Sequence, residues 1–254
     1  MKNPQLKNKS VLITGADSGI GKAIALLFAQ EEAHISFIYY KDKDDDNKDH
    51  EKTVEELQKF GVHTLAFGGD INDNDFCKEV VSKTVSEFGG IDIVVNNAGT
   101  QIPAQSIAEL EEKNIRKTFD SNIIGMILLT KAAFPFLKQG GSIINTTSAV
   151  AYQGHEELLD YSATKGAIVS FTRSLALQAK PKGIRVNAVA PGPVATPLTE
   201  KTFGEEKDDE SKPPLERNAT AEEIASSYLF LATDAAAQIT GQILHPNGGL
   251  IVNG

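Results

Sequence analysis

The sequence predicts an α/β fold of the doubly wound type: one mostly parallel, seven-stranded sheet with helices on both faces. Three observations lead there. Short apolar runs alternate with longer amphipathic stretches along the chain. Most of the runs are continuously apolar, as expected for strands buried on both faces. Strand–helix alternation implies right-handed crossovers, and with them parallel neighbours.

The strand-like runs are 10–14, 34–40, 63–67, 91–96, 142–147, 184–190 and 242–245. Between them, 19–30, 49–60, 73–88, 106–138, 161–180 and 220–233 read as helices. Gly61, Gly140 and Gly183 supply stop signals. Pro135 lies inside the fourth helical pattern and should kink or restart it. No linker or internal repeat divides the chain, so residues 1–254 are expected to form one domain.

Composition narrows the function. The chain has 254 residues, 41% hydrophobic and 23% charged, enough for a sizeable core. Its formal charge, 25 minus 34 or −9, argues against nucleic acid or an anionic membrane as the main partner. The single cysteine, Cys77, excludes an intrachain disulfide framework. It sits in a predicted helix and reads as a packed small residue. Residues 1–10 are polar, without the apolar core of a signal peptide. No run reaches the roughly 18 apolar residues of a membrane span. A cytoplasmic protein is expected.

Two segments look irregular. Residues 41–49 carry five aspartates, yet lack the glycine and the bidentate glutamate of a divalent-metal loop. They read as a solvated loop entering a helix, and no metal is expected. Residues 191–214 are rich in Pro, Thr and charge and follow the sixth strand. Open α/β sheets bind ligands at that edge, so 193–214 is expected to form a substrate lid.

Two motifs carry chemistry. After the first strand comes Thr14-Gly15-Ala16-Asp17-Ser18-Gly19-Ile20-Gly21. Glycines let the chain turn sharply, and the following helix offers free N–H groups and a positive dipole end to a pyrophosphate. This is a Rossmann-type context for a dinucleotide, with its glycines spaced Gly-x-x-x-Gly-x-Gly. The second motif is Tyr161-Ser162-Ala163-Thr164-Lys165. Positions i and i+4 share a helix face, so the phenol and the ammonium point into one space. Bringing a phenol from about 10 to about 7 needs about 4 kcal/mol. One unit charge at about 4 Å, in an effective dielectric of about 20, supplies about 4 kcal/mol. One lysine is barely enough, and desolvation of the phenolate calls for more help.

With Asn96-Asn97-Ala98-Gly99, Ser148 and Pro191-Gly192 in order, these motifs resemble the single-domain short-chain dehydrogenase/reductase family. The resemblance runs from about residue 7 to 254. The turn at Ala16-Asp17-Ser18 and the stretch 161–176 are most similar to bacterial general-stress-type reductases. The resemblance implies hydride transfer between a nicotinamide cofactor and a carbonyl or secondary alcohol. Tyr161 would be the acid/base, with Lys165 lowering its pKa and holding the nicotinamide ribose. Ser148 would bond the substrate oxygen, and Asn122 would anchor a water that relays protons toward Lys165. Gly15, Asp17, Ser18, Gly19, Ile20 and Gly21 would line the cofactor, and Asn97, Ala98 and Gly99 would pass beside the adenosine ribose. Asp70 and Ile71 would meet the adenine; Pro191, Gly192, Val194 and Thr196 would meet the nicotinamide end. An oxidised nicotinamide would add a second positive charge near the phenol. Gln101, Gln153 and His155 are weaker candidates for contact with substrate.

The second strand ends in Tyr39-Tyr40-Lys41, not in the acid that holds a ribose 2′-hydroxyl in an NAD site. Lys41 could hold a 2′-phosphate, while Asp42 would repel it. The residues lean to NADP and leave NAD open. The expected partner is a small carbonyl or alcohol substrate, and the resemblance implies a homotetramer. Two rivals stand beside this reading. One is a cofactor-binding regulatory protein without turnover, against which Asn122, Ser148, Tyr161 and Lys165 argue. The other is a sugar-nucleotide epimerase, which needs a larger C-terminal region and a different glycine spacing.

Overall fold

The computed structural model describes residues 4–41, 48–203 and 213–250. Seven strands form one sheet: β1 Ser10–Thr14, β2 His34–Tyr39, β3 Thr64–Gly68, β4 Ile91–Asn96, β5 Leu137–Thr146, β6 Arg185–Val189 and β7 Ile243–Leu244. Their order is β3-β2-β1-β4-β5-β6-β7. Every strand pair is parallel. The strands lie as the apolar runs predict because β1, β4 and most of β5 are buried on both faces. The order reverses between β1 and β4, which opens a crevice at their carboxyl ends.

Helices cover both faces. On one, α1 Gly19–Gln30 and α9 Ala221–Ala232 pack Ile24, Phe28 and Tyr228 against Ile13, Phe37 and Val95. On the other, α3 Asn74–Phe88 and α5 Gly125–Ala133 pack Val80, Val81 and Leu129 against Leu12, Val94 and Ile143. Cys77 is fully buried here; burial pushes its thiol up to about 11, and it donates to the Ile71 carbonyl at 3.1 Å. That matches a packed residue, not a nucleophile. The α3 start is fixed by Asp73, which accepts from the amides of Asp75 and Phe76.

The stretch 106–138 departs from a single helix. It divides into a 3₁₀ turn Ile107–Glu109, α4 Glu112–Phe119, a π-helical turn Asp120–Ile124, α5, and a second 3₁₀ turn Phe134–Phe136. Pro135 sits in that last turn, where its missing N–H and fixed φ end the helix. β5 then starts at Leu137, five residues early, because Leu137 pairs with Ile91 before an irregularity in register. α2 Asp49–Gln58 follows the acidic stretch, whose residues 42–47 lie outside the described ones. The expected lid contains the short helix α8 Pro197–Phe203; residues 204–212 also lie outside.

Candidate active site

The crevice is built by strand ends that hold one another. Thr14, the last residue of β1, accepts from the amides of Asn97 and Ala98, both at 2.9 Å. Asn97 returns its side-chain amide to the Gly15 carbonyl at 3.1 Å. Gly15 has φ +64° and lies so close to Ala98 that a side chain there would be strained and crowded. A Cβ on Gly21 would collide with the Gly15 carbonyl and stand 2.6 Å from the Asn97 amide. Ser18 is the N-cap of α1 but makes no side-chain cap, and the first turn holds no acid. The first N–H groups and the positive helix end are therefore open to an anion. These features fit a pyrophosphate. Ile20 packs its side chain on the core, which leaves its N–H for that role.

Asp17 is tied in from two sides: the Thr53 hydroxyl donates to its carbonyl at 3.0 Å, and Ser18 donates to its carboxylate at 3.4 Å. Burial holds the Asp17 carboxyl above its usual range. At the β2 end, Tyr39 stacks on His50 at 4.0 Å and 8°. Tyr39 and Lys41 both lie over Gly68, where a Cβ would meet the phenol at 2.7 Å and Lys41 Cδ at 3.0 Å. Tyr40 is exposed. Asp70 turns its carboxylate to the Asn72 amide at 2.9 Å, and Ile71 is buried against Gly125.

The candidate chemistry gathers on α7 Leu159–Ala179, which follows the short helix α6 Val150–Gln153. Lys165 is 3% exposed, and its ammonium donates to the Thr146 carbonyl at 2.9 Å. It lies 5.2 Å from the centroid of the Tyr161 ring. The Ser148 hydroxyl faces the Tyr161 phenol and favours its ionised form. Asn122 lies in the π-helical turn, which swings its side chain into the crevice. It donates to the Thr100 carbonyl at 2.9 Å and to the Thr164 hydroxyl at 3.0 Å, and accepts from the Thr100 amide at 2.7 Å. A Cβ on Gly99 would stand 3.1 Å from Asn122 Oδ1 and 3.5 Å from Lys165 Nζ. The structure thus brings Ser148, Tyr161, Lys165, Asn122 and Gly99 together.

The electrostatics differ from the sequence expectation. Lys165 does not by itself bring the phenol down. Burial pushes Tyr161 up to about 12, and the Ser148 hydroxyl offsets only part of this. Burial also pushes Lys165 down to about 8. Desolvation, which the one-lysine sum left to other help, dominates for both groups because they share the same dry space.

Other candidates scatter. Gln101 donates its side-chain amide to the Thr202 hydroxyl at 3.0 Å. Gln153 and His155 are exposed on the surface, with His155 Nδ1 accepting from the Glu157 amide at 3.2 Å. Pro191, Val194 and Thr196 are buried after β6, where the Pro191 carbonyl accepts from the Ala149 amide at 2.9 Å beside the partly buried Gly192. Among the described residues no cluster of ligands could hold a metal ion. Four threonines brace the site: Thr14 and Thr164 lie inside the quoted motifs, while Thr146 and Thr147 escape motif reading. Thr147 donates to the Lys165 carbonyl at 2.7 Å, and Thr164 donates to that of Tyr161 at 2.7 Å. The one sequence signal of Thr146 and Thr147 is their adjacency to Ser148.

A doubly wound sheet with a pyrophosphate turn and a Ser–Tyr–Lys–Asn cluster at its carboxyl edge defines a nicotinamide-dependent oxidoreductase. Comparison with known proteins agrees. The family described as "Enoyl-(Acyl carrier protein) reductase" matches residues 15–251. General stress protein 39 of Bacillus subtilis is 45% identical, over 98% of this chain and 86% of that protein. The chloroplastic NADPH-dependent aldehyde reductase 1 of Arabidopsis thaliana is also 45% identical, over 98% of this chain and 88% of that protein. A short-chain dehydrogenase from Burkholderia cenocepacia, solved in complex with NADP, superposes with a TM-score of 0.87 at 28% identity, covering 96% of this chain and 98% of that one. The chain belongs to the short-chain dehydrogenase/reductase family of NAD(P)-dependent oxidoreductases. No helix among the described residues is long and apolar enough to cross a membrane.

Proposed function

We propose that this enzyme is an NADPH-dependent carbonyl reductase whose substrates include aldehydes. One observation carries the reading: Ser148, Tyr161, Lys165 and Asn122 converge where Gly99 leaves room beside the crevice. When bound, the reduced nicotinamide supplies a hydride to the carbonyl carbon. Ser148 donates a hydrogen bond to the carbonyl oxygen and steadies its developing charge. Tyr161 delivers the proton to that oxygen. Burial favours the protonated phenol, the form that suits reduction. Lys165 and Asn122 then stand ready to return a proton to the phenolate.

Gly15, Asp17, Ser18, Gly19, Ile20 and Gly21 would cradle the pyrophosphate. Asn97, Ala98, Gly99, Asp70 and Ile71 would flank the adenosine, and Pro191, Gly192, Val194 and Thr196 the nicotinamide. The absence of an acid at the β2 end, with Lys41 beside Tyr39 and Tyr40, favours NADP; the Arabidopsis relative and the Burkholderia structure point the same way. The whole chain acts as one domain, in the cytoplasm, as a homotetramer; Leu177 on α7, 79% exposed, suits burial in an assembly. Light scattering that gave a 27 kDa monomer would overturn the tetramer.

The test is a panel of aldehydes, ketones, sugars and polyols, run with both cofactors in both directions. NADPH-linked aldehyde reduction is expected. Tyr161→Phe should keep cofactor binding and lose about 10²–10⁴ in turnover. Near wild-type reduction by that variant would remove the phenol from the mechanism.

A further inference from the structure

The helix α8 is pinned at both ends, on opposite banks of the crevice. At its start, Thr196 packs on the pyrophosphate turn, where a Cβ on Gly19 would meet Thr196 Cβ at 3.5 Å and Pro197 Cδ at 3.8 Å. At its end, the Thr202 hydroxyl accepts from Gln101 at 3.0 Å. Gln101 belongs to the other bank: it follows Thr100, whose amide and carbonyl are both held by Asn122. The root of the strap is fixed too, since Val194 bridges Ala219 and the Ala219 amide donates to the Pro193 carbonyl at 3.1 Å.

The two pins differ in kind. The start is a knot of hydroxyls: Thr199 donates to the Val194 carbonyl at 2.8 Å and stands 3.1 Å from the Thr196 hydroxyl. Among the described residues, the far end is held by the neutral Gln101–Thr202 side-chain bond. The Thr202 hydroxyl spends its own proton on the Leu198 carbonyl at 2.8 Å, which leaves a lone pair for Gln101. The floor beneath is the contact of Gly15 with Ala98. A dinucleotide held by the residues named above would pass between the pyrophosphate turn and α8, so opening either pin would ease its exit.

We infer that the Gln101–Thr202 hydrogen bond latches α8 over the cofactor and sets the rate at which the dinucleotide is exchanged. This rests on the functional reading above. Gln101 is then a positioning residue for the strap. Breaking one neutral hydrogen bond in the closed state should speed opening by about three- to tenfold.

Two measurements test this on the full-length protein. The first is hydrogen exchange of the 197–203 amides without added cofactor. Gln101→Leu and Thr202→Val should each exchange faster, the double variant no faster than either, and Thr202→Ser should match wild type. The second is stopped-flow release of NADPH, with the same ranking and about three- to tenfold faster release in the three variants lacking the bond. Additive effects of the two single changes, or unchanged exchange, would overturn the latch. Faster amide exchange with unchanged NADPH release would overturn its role in cofactor exchange. A wild-type protein that bound neither NADPH nor NADH would sink the functional reading and that role together. The amide exchange would then still report whether the bond holds α8.

Discussion

Asn122 and Thr100 exchange two hydrogen bonds: the Thr100 amide donates to Asn122 Oδ1, and Asn122 Nδ2 donates back to the Thr100 carbonyl. One side chain thus satisfies both backbone groups of the residue that follows Gly99. The same Nδ2 also reaches Thr164, one residue before Lys165. Asn122 therefore joins the loop after β4 to α7, and the π-helical turn is the local distortion that aims it there.

Asn122→Ala should be costly on both counts. Asn122 is 1% exposed, and truncation leaves the Thr100 amide and carbonyl without partners. A buried polar group left unsatisfied costs about 1–3 kcal/mol, so a loss of about 2–4 kcal/mol is expected in urea unfolding. Turnover should fall further than stability explains, because Gly99 and Lys165 lose their shared brace. A variant with wild-type stability would mean that water replaces the amide without cost.

Gly21→Ala tests the dinucleotide turn. The added methyl would overlap the Gly15 carbonyl and crowd the Asn97 amide, both rigid parts of the strand ends. Overpacking of this kind costs about 1–3 kcal/mol or more. Cofactor affinity should drop steeply in calorimetry, since the turn can make room only by moving the groups that face the pyrophosphate. Gly61→Ala is a useful control: no atom lies within 4 Å of its Cβ, so only its φ of +71° is penalised, far from the crevice.

These two sites differ in how far the sequence discloses them. The glycine turn is legible because it is local: strand, turn and helix follow within a dozen residues. Tyr161 and Lys165 are legible because i and i+4 share a face. The seven strands announce themselves through continuous apolar runs such as Val11-Leu12-Ile13. The π-helical turn is not legible, since an Asn inside an amphipathic pattern looks the same whether the helix bulges or not. Nor is the early start of β5, where Lys138, Gln139 and two glycines break the apolar run. The Gln101–Thr202 bond joins residues 101 apart and carries no local signature. The depth of burial that inverts the expected Tyr161 shift depends on every surrounding element at once.

Asp92 should govern part of the acid stability. It accepts from the Ser10 amide at 3.0 Å and from Lys138 at 2.9 Å, with Lys9 at 3.4 Å. Burial alone would raise its carboxyl, but these partners together hold it below the usual carboxylate range. A depressed carboxyl stabilises the fold above its unfolded pKa of about 3.9. That contribution disappears as pH falls through the lower folded value. Asp92→Asn should therefore cost about 1–3 kcal/mol at pH 7. The gap to wild type should close as unfolding is followed toward pH 2. A gap that persisted there would assign the cost to packing rather than to charge.

Lys165→Met should stabilise the fold while abolishing turnover. The lysine is 3% exposed, and burial brings its pKa from the usual 10.5 down to about 8. At pH 7 the folded protein carries an ammonium that would be easier to hold in the unfolded chain. The interval from 10.5 to about 8 corresponds to about 3 kcal/mol. Loss of the bond to the Thr146 carbonyl returns about 1–2 kcal/mol of this. A net gain of about 1–2 kcal/mol is expected at pH 7, because methionine fills the same space without a charge. The sign follows from linkage: a lowered lysine penalises the fold below about 8, and the penalty fades as pH rises toward 10.5. The advantage of the variant should therefore shrink over that range in denaturant unfolding. Destabilisation at pH 7 would show instead that the ammonium is fully compensated where it sits. A gain would mean that the chain holds this charge against its own stability, which is the trade expected where a fold serves chemistry.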